Sequence, residues 1–132
     1  MEKIRIVFVH DQLVCGGTDQ ALFDLVQLLD KEKFEVSVFA QKPGGPWDQK
    51  FKDAGIRVLY DFSCRRATRN PVVKLGNIVK RLRTAKAYRN NGRNLLDVCI
   101  PEGFDIIVSY SMWDHPLCGF SPRAKSVKYL FL

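Results

Sequence analysis

Apolar positions along this chain recur in two periods, and the switches between them lay out its elements. Ile4 to Val9 is a short run rich in β-branched residues, Ile-Arg-Ile-Val-Phe-Val. It predicts a strand covered on both faces, as in a parallel sheet. Leu22, Leu25, Val26 and Leu29 then fall at i, i+3, i+4 and i+7, which predicts an amphipathic helix over 18–29. Asp19 lies in its first turn, where a carboxylate suits the positive end of the helix dipole. Phe34 to Ala40 predicts a second strand, with Val36, Val38 and Ala40 alternating against Glu35, Ser37 and Phe39. Pro43-Gly44-Gly45-Pro46 is a turn. Pro46 opens a short helix to about Ala54, which Gly55 closes. Ile56 to Tyr60 predicts a third strand.

A second helix pattern starts at Pro71. Val72, Leu75, Ile78, Val79, Leu82 and Ala85 share one face, but Lys86 and Arg89 then land on the apolar side. The helix is expected to end or loosen there, before Asn90-Asn91-Gly92 breaks it. A short helix is expected over 94–100, a fourth strand over Phe104 to Ser109, and a fifth from Val127 to Leu132. Strand, helix, strand, helix, strand implies a right-handed, doubly wound α/β sheet, with the expected order 3-2-1-4-5. A fifth parallel strand needs a helix to cover it, and none follows. The expectation is therefore a half-domain, 1–132, that is either a fragment or a natural truncation, without a C-terminal nucleotide-sugar domain.

Charge changes this picture at one place. Residues 62–93 hold 10 Lys/Arg and no Asp/Glu, whereas residues 1–61 hold 8 and 10, and residues 94–132 hold 3 and 4. One segment thus accounts for the net charge of +7, and an anionic partner should meet it there. Hydrophobic residues at 46% and charged residues at 27% fit a folded chain with a core. The four cysteines, Cys15, Cys64, Cys99 and Cys118, form no CxxC pair, and no histidine sits at ligand spacing from them. Zinc is not expected, and free thiols in a reducing cytoplasmic setting are. No signal peptide or bilayer-spanning stretch is evident.

Chemistry is expected at the carboxyl ends of the strands, where the strand order reverses between the first and fourth strands. The loops meeting there are His10 to Thr18 and Tyr110 to His115. Gly16-Gly17 directly precedes a helix, so backbone can approach a ligand closely and free N–H groups can meet a phosphate or sugar hydroxyl. A plain tight turn would use the same two glycines. There is no GxGxxG and no GxxxxGK[ST], and Ala40-Gln41-Lys42 offers no acid to a ribose hydroxyl. Nicotinamide and P-loop enzymes are disfavoured accordingly.

Three runs resemble the opening of glycosyltransferase family 4 proteins: Lys3 to His10, Gly16 to Leu22, and Leu29 to Val36. Phe104 to Ser109 resembles that family's fourth strand, and Ser126 to Leu132 the strand after it. The resemblance implies one Rossmann-like half of a two-domain GT-B fold. It implies an N-terminal, acceptor-side domain that transfers a sugar from a nucleotide-sugar co-substrate to a saccharide or lipid-linked acceptor only with its second domain. Gly16, Gly17, Thr18 and Asp19 would form the cleft loop near the donor diphosphate and the acceptor. Asp19 stands where the family usually has Glu. The family's fourth strand often leads to a histidine near the donor sugar, a role open to His115. The nucleotide-binding domain, with its paired glutamates, would lie beyond residue 132. The resemblance implies neither a metal nor a resident cofactor, and it leaves the catalytic residues unassigned.

Other readings stand beside these. His10 is either a ligand contact or a half-buried polar cap at a strand end. Asp11 and Asp61 at strand ends suggest a receiver domain, but that reading lacks its acidic pair and gives Gly16-Gly17 no role. Trp47 and Trp113 either stack on a sugar or pack in the fold. The basic helix is a solvated helix with one core face, or an anionic-membrane or acidic-acceptor surface carried by Lys74, Lys80, Arg81, Arg83, Lys86 and Arg89, or a nucleic-acid surface. No recognised nucleic-acid motif accompanies it, so no specific nucleic-acid partner is expected. The alternative to a transferase half is a non-catalytic basic binding module that works through 71–89, and the expected location is cytoplasmic, peripheral at the inner face of a membrane.

Overall fold

The computed structural model describes residues 2–14, 16–42, 44–60, 70–90, 99–110, 118, 121 and 126–132. Among these the order is β1 (Ile4–Gln12), α1 (Gly17–Leu28), β2 (Phe34–Lys42), α2 (Pro46–Asp53), β3 (Arg57–Tyr60), α3 (Pro71–Asn90), β4 (Ile106–Ser109) and β5 (Lys128–Phe131). The fold is α/β. Its parallel sheet runs β3-β2-β1-β4, as the sequence implied, and β5 pairs in parallel with β4. The short helix expected over 94–100 falls mostly outside the described residues.

The sheet has one core on each face, and β1 supplies both. Ile6 and Phe8 point to the side where Leu22 and Val26 of α1 and Phe51 of α2 pack with Val38, Ala40, Ile56 and Val108. Val7 and Val9 point to the other, where they meet Phe39, Cys99, Ile100, Phe104, Ile107 and Cys118. The two-residue period of a strand is enough to make this division. Cys99 and Cys118 are buried.

Both of the first two strands are longer than the apolar pattern suggested. His10, Asp11 and Gln12 belong to β1, not to a loop, because the ladder continues with His10 opposite Ala40 and Gln12 opposite Lys42. The alternation expected in β2 is also overridden: Ser37, Val38, Phe39 and Ala40 are all buried, since β2 is an interior strand covered on both faces.

The basic helix differs in two ways. Asn70 caps it through a 2.9 Å bond from Val72 N–H to its side-chain oxygen, with Pro71 in the first turn. It then runs on through Lys86 and Arg89 to Asn90 and does not loosen near Ala85. No core stripe is needed to carry it: Val72, Leu75, Ile78, Val79 and Leu82 are all exposed, so the break in the apolar pattern has no packing to disrupt. Ala, Lys, Arg and Leu are good helix formers and sustain the last turns.

A three-residue clamp joins α2 to β3. The Tyr60 hydroxyl donates to Asp48, which also accepts from Lys52 at 3.1 Å. Asp48 is buried. Burial lifts the Tyr60 hydroxyl above its ordinary pKa, and the hydrogen bond to Asp48 adds to the rise. Lys52 is raised as well, chiefly through Tyr60. A group whose folded pKa is raised gives stability that is whole below its unfolded pKa and is lost as pH climbs through the folded value. The clamp therefore fails on the alkaline side, above about pH 10. Tyr60→Phe should cost about 1 kcal/mol near neutrality. Urea midpoints between pH 8 and 11 should fall more steeply for the native chain than for this variant; parallel curves would refute the clamp.

Candidate functional site

At the carboxyl end of β1 the strand's alternation sets His10 on the same face as Ile6 and Phe8, which is the face α1 covers. Asp19 sits one turn before Leu22 and Val26 on the buried stripe of α1. The two side chains meet: His10 Nε2 lies 2.7 Å from Asp19 Oδ1, and both residues are almost wholly buried, at 5% and 2% exposure. A carboxylate oxygen only accepts, so Nε2–H donates. Nδ1 is buried and, among the described residues, has no hydrogen-bond partner. The ring of Tyr110, just past β4, meets the His10 ring edge-on with centroids 6.0 Å apart, and meets Phe8 in the same manner. Burial raises the Tyr110 hydroxyl above its ordinary pKa, and the charge of Asp19 adds to this.

Above this buried pair, Gly16, Gly17 and Thr18 are exposed. Gly16 precedes α1 with φ 140°, a conformation that favours glycine. No side chain caps the helix. Asp19, the acid of the first turn, turns to His10 instead of back to the helix end. An uncapped helix start leaves its first amides without partners inside the helix, at the positive end of the dipole, the arrangement that suits an anion or a ring of hydroxyls.

A second loop braces the first. Gly45, before α2, has φ 106° and lies so close to Leu13 that an added Cβ would fall on the Leu13 carbonyl oxygen. Leu13 itself is fully buried. Beside it Trp47 packs against Phe23, with the Lys50 ammonium 3.8 Å from its ring centroid, which is the packing alternative for this residue. Asp11 pairs loosely with Lys42 at 4.0 Å across the strand ends.

The structure thus brings together His10, Gly16, Gly17, Thr18 and Asp19. His115, Trp113 and Asp61 lie outside the described residues. Lys74, Arg83 and Lys86 are exposed on α3, and Lys80, Arg81 and Arg89 belong to the same helix. His10 is neither loop nor half-buried cap; it is a buried strand residue with a charged partner. The pairing was missed because Asp19 was read for its place in the first turn, although its spacing from Leu22 and Val26 already set it on the buried stripe. Tyr110 was missed as a member of the site for a similar reason, having been read only as the start of a loop. Among the described residues no group of three His, Cys, Asp or Glu side chains could hold a metal ion, and no helix is long and apolar enough to cross a membrane. No protein-family model matches the chain, and neither a curated protein nor a solved structure matches it.

Removing the carboxylate leaves the buried Nε2–H of His10 without an acceptor. Asp19→Ala should cost about 1–3 kcal/mol in urea denaturation. Asp19→Asn keeps an acceptor oxygen in place and should lose less than half as much. Equal losses would show that the bond to His10 is not what Asp19 contributes. Gly45→Ala should also destabilise the chain, and it should shift the backbone amide signals of Leu13 and Val14 in NMR spectra; unchanged signals there would exclude bracing.

Proposed function

We propose that the chain is the acceptor-side domain of a nucleotide-sugar-dependent glycosyltransferase, a doubly wound, Rossmann-like half of a GT-B enzyme. The observation that carries this reading is the uncapped N-terminus of α1, delivered by two exposed glycines to the carboxyl edge of a central parallel strand. The resemblance of the β1, Gly-Gly and β2 runs to glycosyltransferase family 4 supports it. In this reading the amides of Gly17, Thr18 and Asp19 donate to a diphosphate oxygen or to sugar hydroxyls at the cleft. Gly16 and Gly17 keep that approach clear of side chains. The His10–Asp19 bond fixes the loop from beneath, and the resemblance leaves a donor-sugar contact to His115, which follows β4 in sequence. In this reading most of the donor site belongs to the other domain of the GT-B fold. The acceptor is a saccharide or a lipid-linked saccharide, and the nucleotide sugar is a co-substrate with no resident cofactor. A second reading, a non-catalytic basic module acting through 71–89, is favoured by the exposed apolar residues of α3.

Gly17 gives a clean test, because a Cβ added there meets nothing within 4 Å and its backbone is not in the left-handed region. Gly17→Ala should leave stability within about 0.5–1 kcal/mol of the native value. It should also lower transfer by the full-length natural protein about tenfold or more, as expected when a close backbone contact to substrate is obstructed. Release of nucleoside diphosphate from a panel of nucleotide sugars gives the readout. The reading fails if that protein turns over no donor and the Gly16 to Asp19 amide signals stay fixed as nucleoside diphosphates and glycans are titrated in.

A further inference from the structure

The face of α3 that bears Val72, Leu75, Ile78, Val79 and Leu82 lies open in this structure, with Val72 at 76%, Leu75 at 63% and Leu82 at 66% exposure. Among the described residues, neither core of the sheet includes a side chain of this helix. Projected down the helix, these side chains span a continuous arc. Lys74 borders it on one side, Arg83 borders it on the other, and Lys86 closes it toward the C-terminal end. No acid occurs anywhere in residues 62–93 to neutralise these cations. At 20 residues the helix is about 30 Å long. It is too polar to cross a bilayer and long enough to lie on one.

We infer that α3 is an interfacial helix that docks the protein on an anionic lipid surface, its apolar arc sinking to the level of the acyl chains while the flanking Lys and Arg side chains meet lipid phosphates. Charge complementarity decides the occupant. A second copy would bring two strips of cations together with no acid to separate them. A nucleic acid would satisfy the cations but leave the valines and leucines in water, since phosphate contacts need no apolar stripe. An anionic membrane alone takes both halves of the pattern, apolar arc and cationic border, at the same time. The inference does not depend on the transferase reading, because lipid binding is read without any sugar transfer.

The test is co-sedimentation of the chain with vesicles of neutral phosphatidylcholine, and with vesicles containing about one third phosphatidylglycerol, an anionic surface of the kind that attracts basic helices. Binding to the anionic vesicles should be at least about tenfold tighter and should weaken steeply between about 50 and 500 mM salt. Leu75→Ser with Leu82→Ser, and separately Lys74→Glu with Arg83→Glu, should each reduce binding about tenfold, since the inference needs both apolar and cationic contact. All four side chains are exposed, so the circular dichroism spectrum should not change. Equal binding to neutral vesicles would overturn the inference. So would full binding by the leucine variant, which would mean adsorption by charge alone. Self-association that needs Leu75 and Leu82, without vesicle binding, would assign the face to a second copy and also overturn it. Tight RNA binding that ignores the leucine changes, without vesicle binding, would do the same in favour of nucleic acid.

Discussion

The central strand β1 must satisfy neighbours on both edges and cover on both faces, and the rest of the molecule answers that demand. Its backbone is paired with β2 on one side and β4 on the other. Its side chains from Ile6 to His10 are all buried. A parallel strand in this position has no solvent face on which to place a polar group freely. The single ionisable residue in that buried run, His10, must therefore bring its own partner, and the helix that covers its face supplies one. The paired carboxylate is not a decoration of the site. It is what lets a polar side chain end a strand that is otherwise closed to water.

That requirement links the core to the loop above it. Asp19 belongs at once to the packed stripe of α1 and to the first turn that projects toward solvent. Its carboxylate reaches down to His10 and not back to the helix end, and Gly16 at the cap position has no side chain to take its place. A cap would stabilise the helix end by about 1 kcal/mol. The chain forgoes that gain here, whereas at α3 it takes it, with Asn70 bonded to Val72. α2, entered through Gly45, lacks a side-chain cap as well, so the open start is shared by the two helices that follow β1 and β2.

Much of this was legible in the sequence, and the failures have physical causes. The apolar runs gave the strands β1 to β4 and their parallel order, because strands buried on both faces are short and β-branched. Glycine and proline gave the turns, since Pro46 and Gly55 bracket α2. Periodicity could not tell where a ladder stops, as hydrogen bonding to β2 carries polar His10 to Gln12 along with it. Nor could it say whether an apolar stripe finds cover: that of α1 is packed and that of α3 is open, from patterns of the same period. The site residues were found singly and their bond was not, because nine positions separate His10 from Asp19 and only the crossover from strand to helix closes that distance.

The contact between Gly45 and Leu13 carries a consequence for how this surface could diversify. With Gly45 seated directly on the Leu13 carbonyl, a side chain at that one point of the second connection would have to displace the first. At that point the two strand-to-helix connections form a single packed unit. A graft that replaces only one of them would meet the old partner's shape, whereas transplanting both together would preserve the seat and leave the rim free to be rewritten.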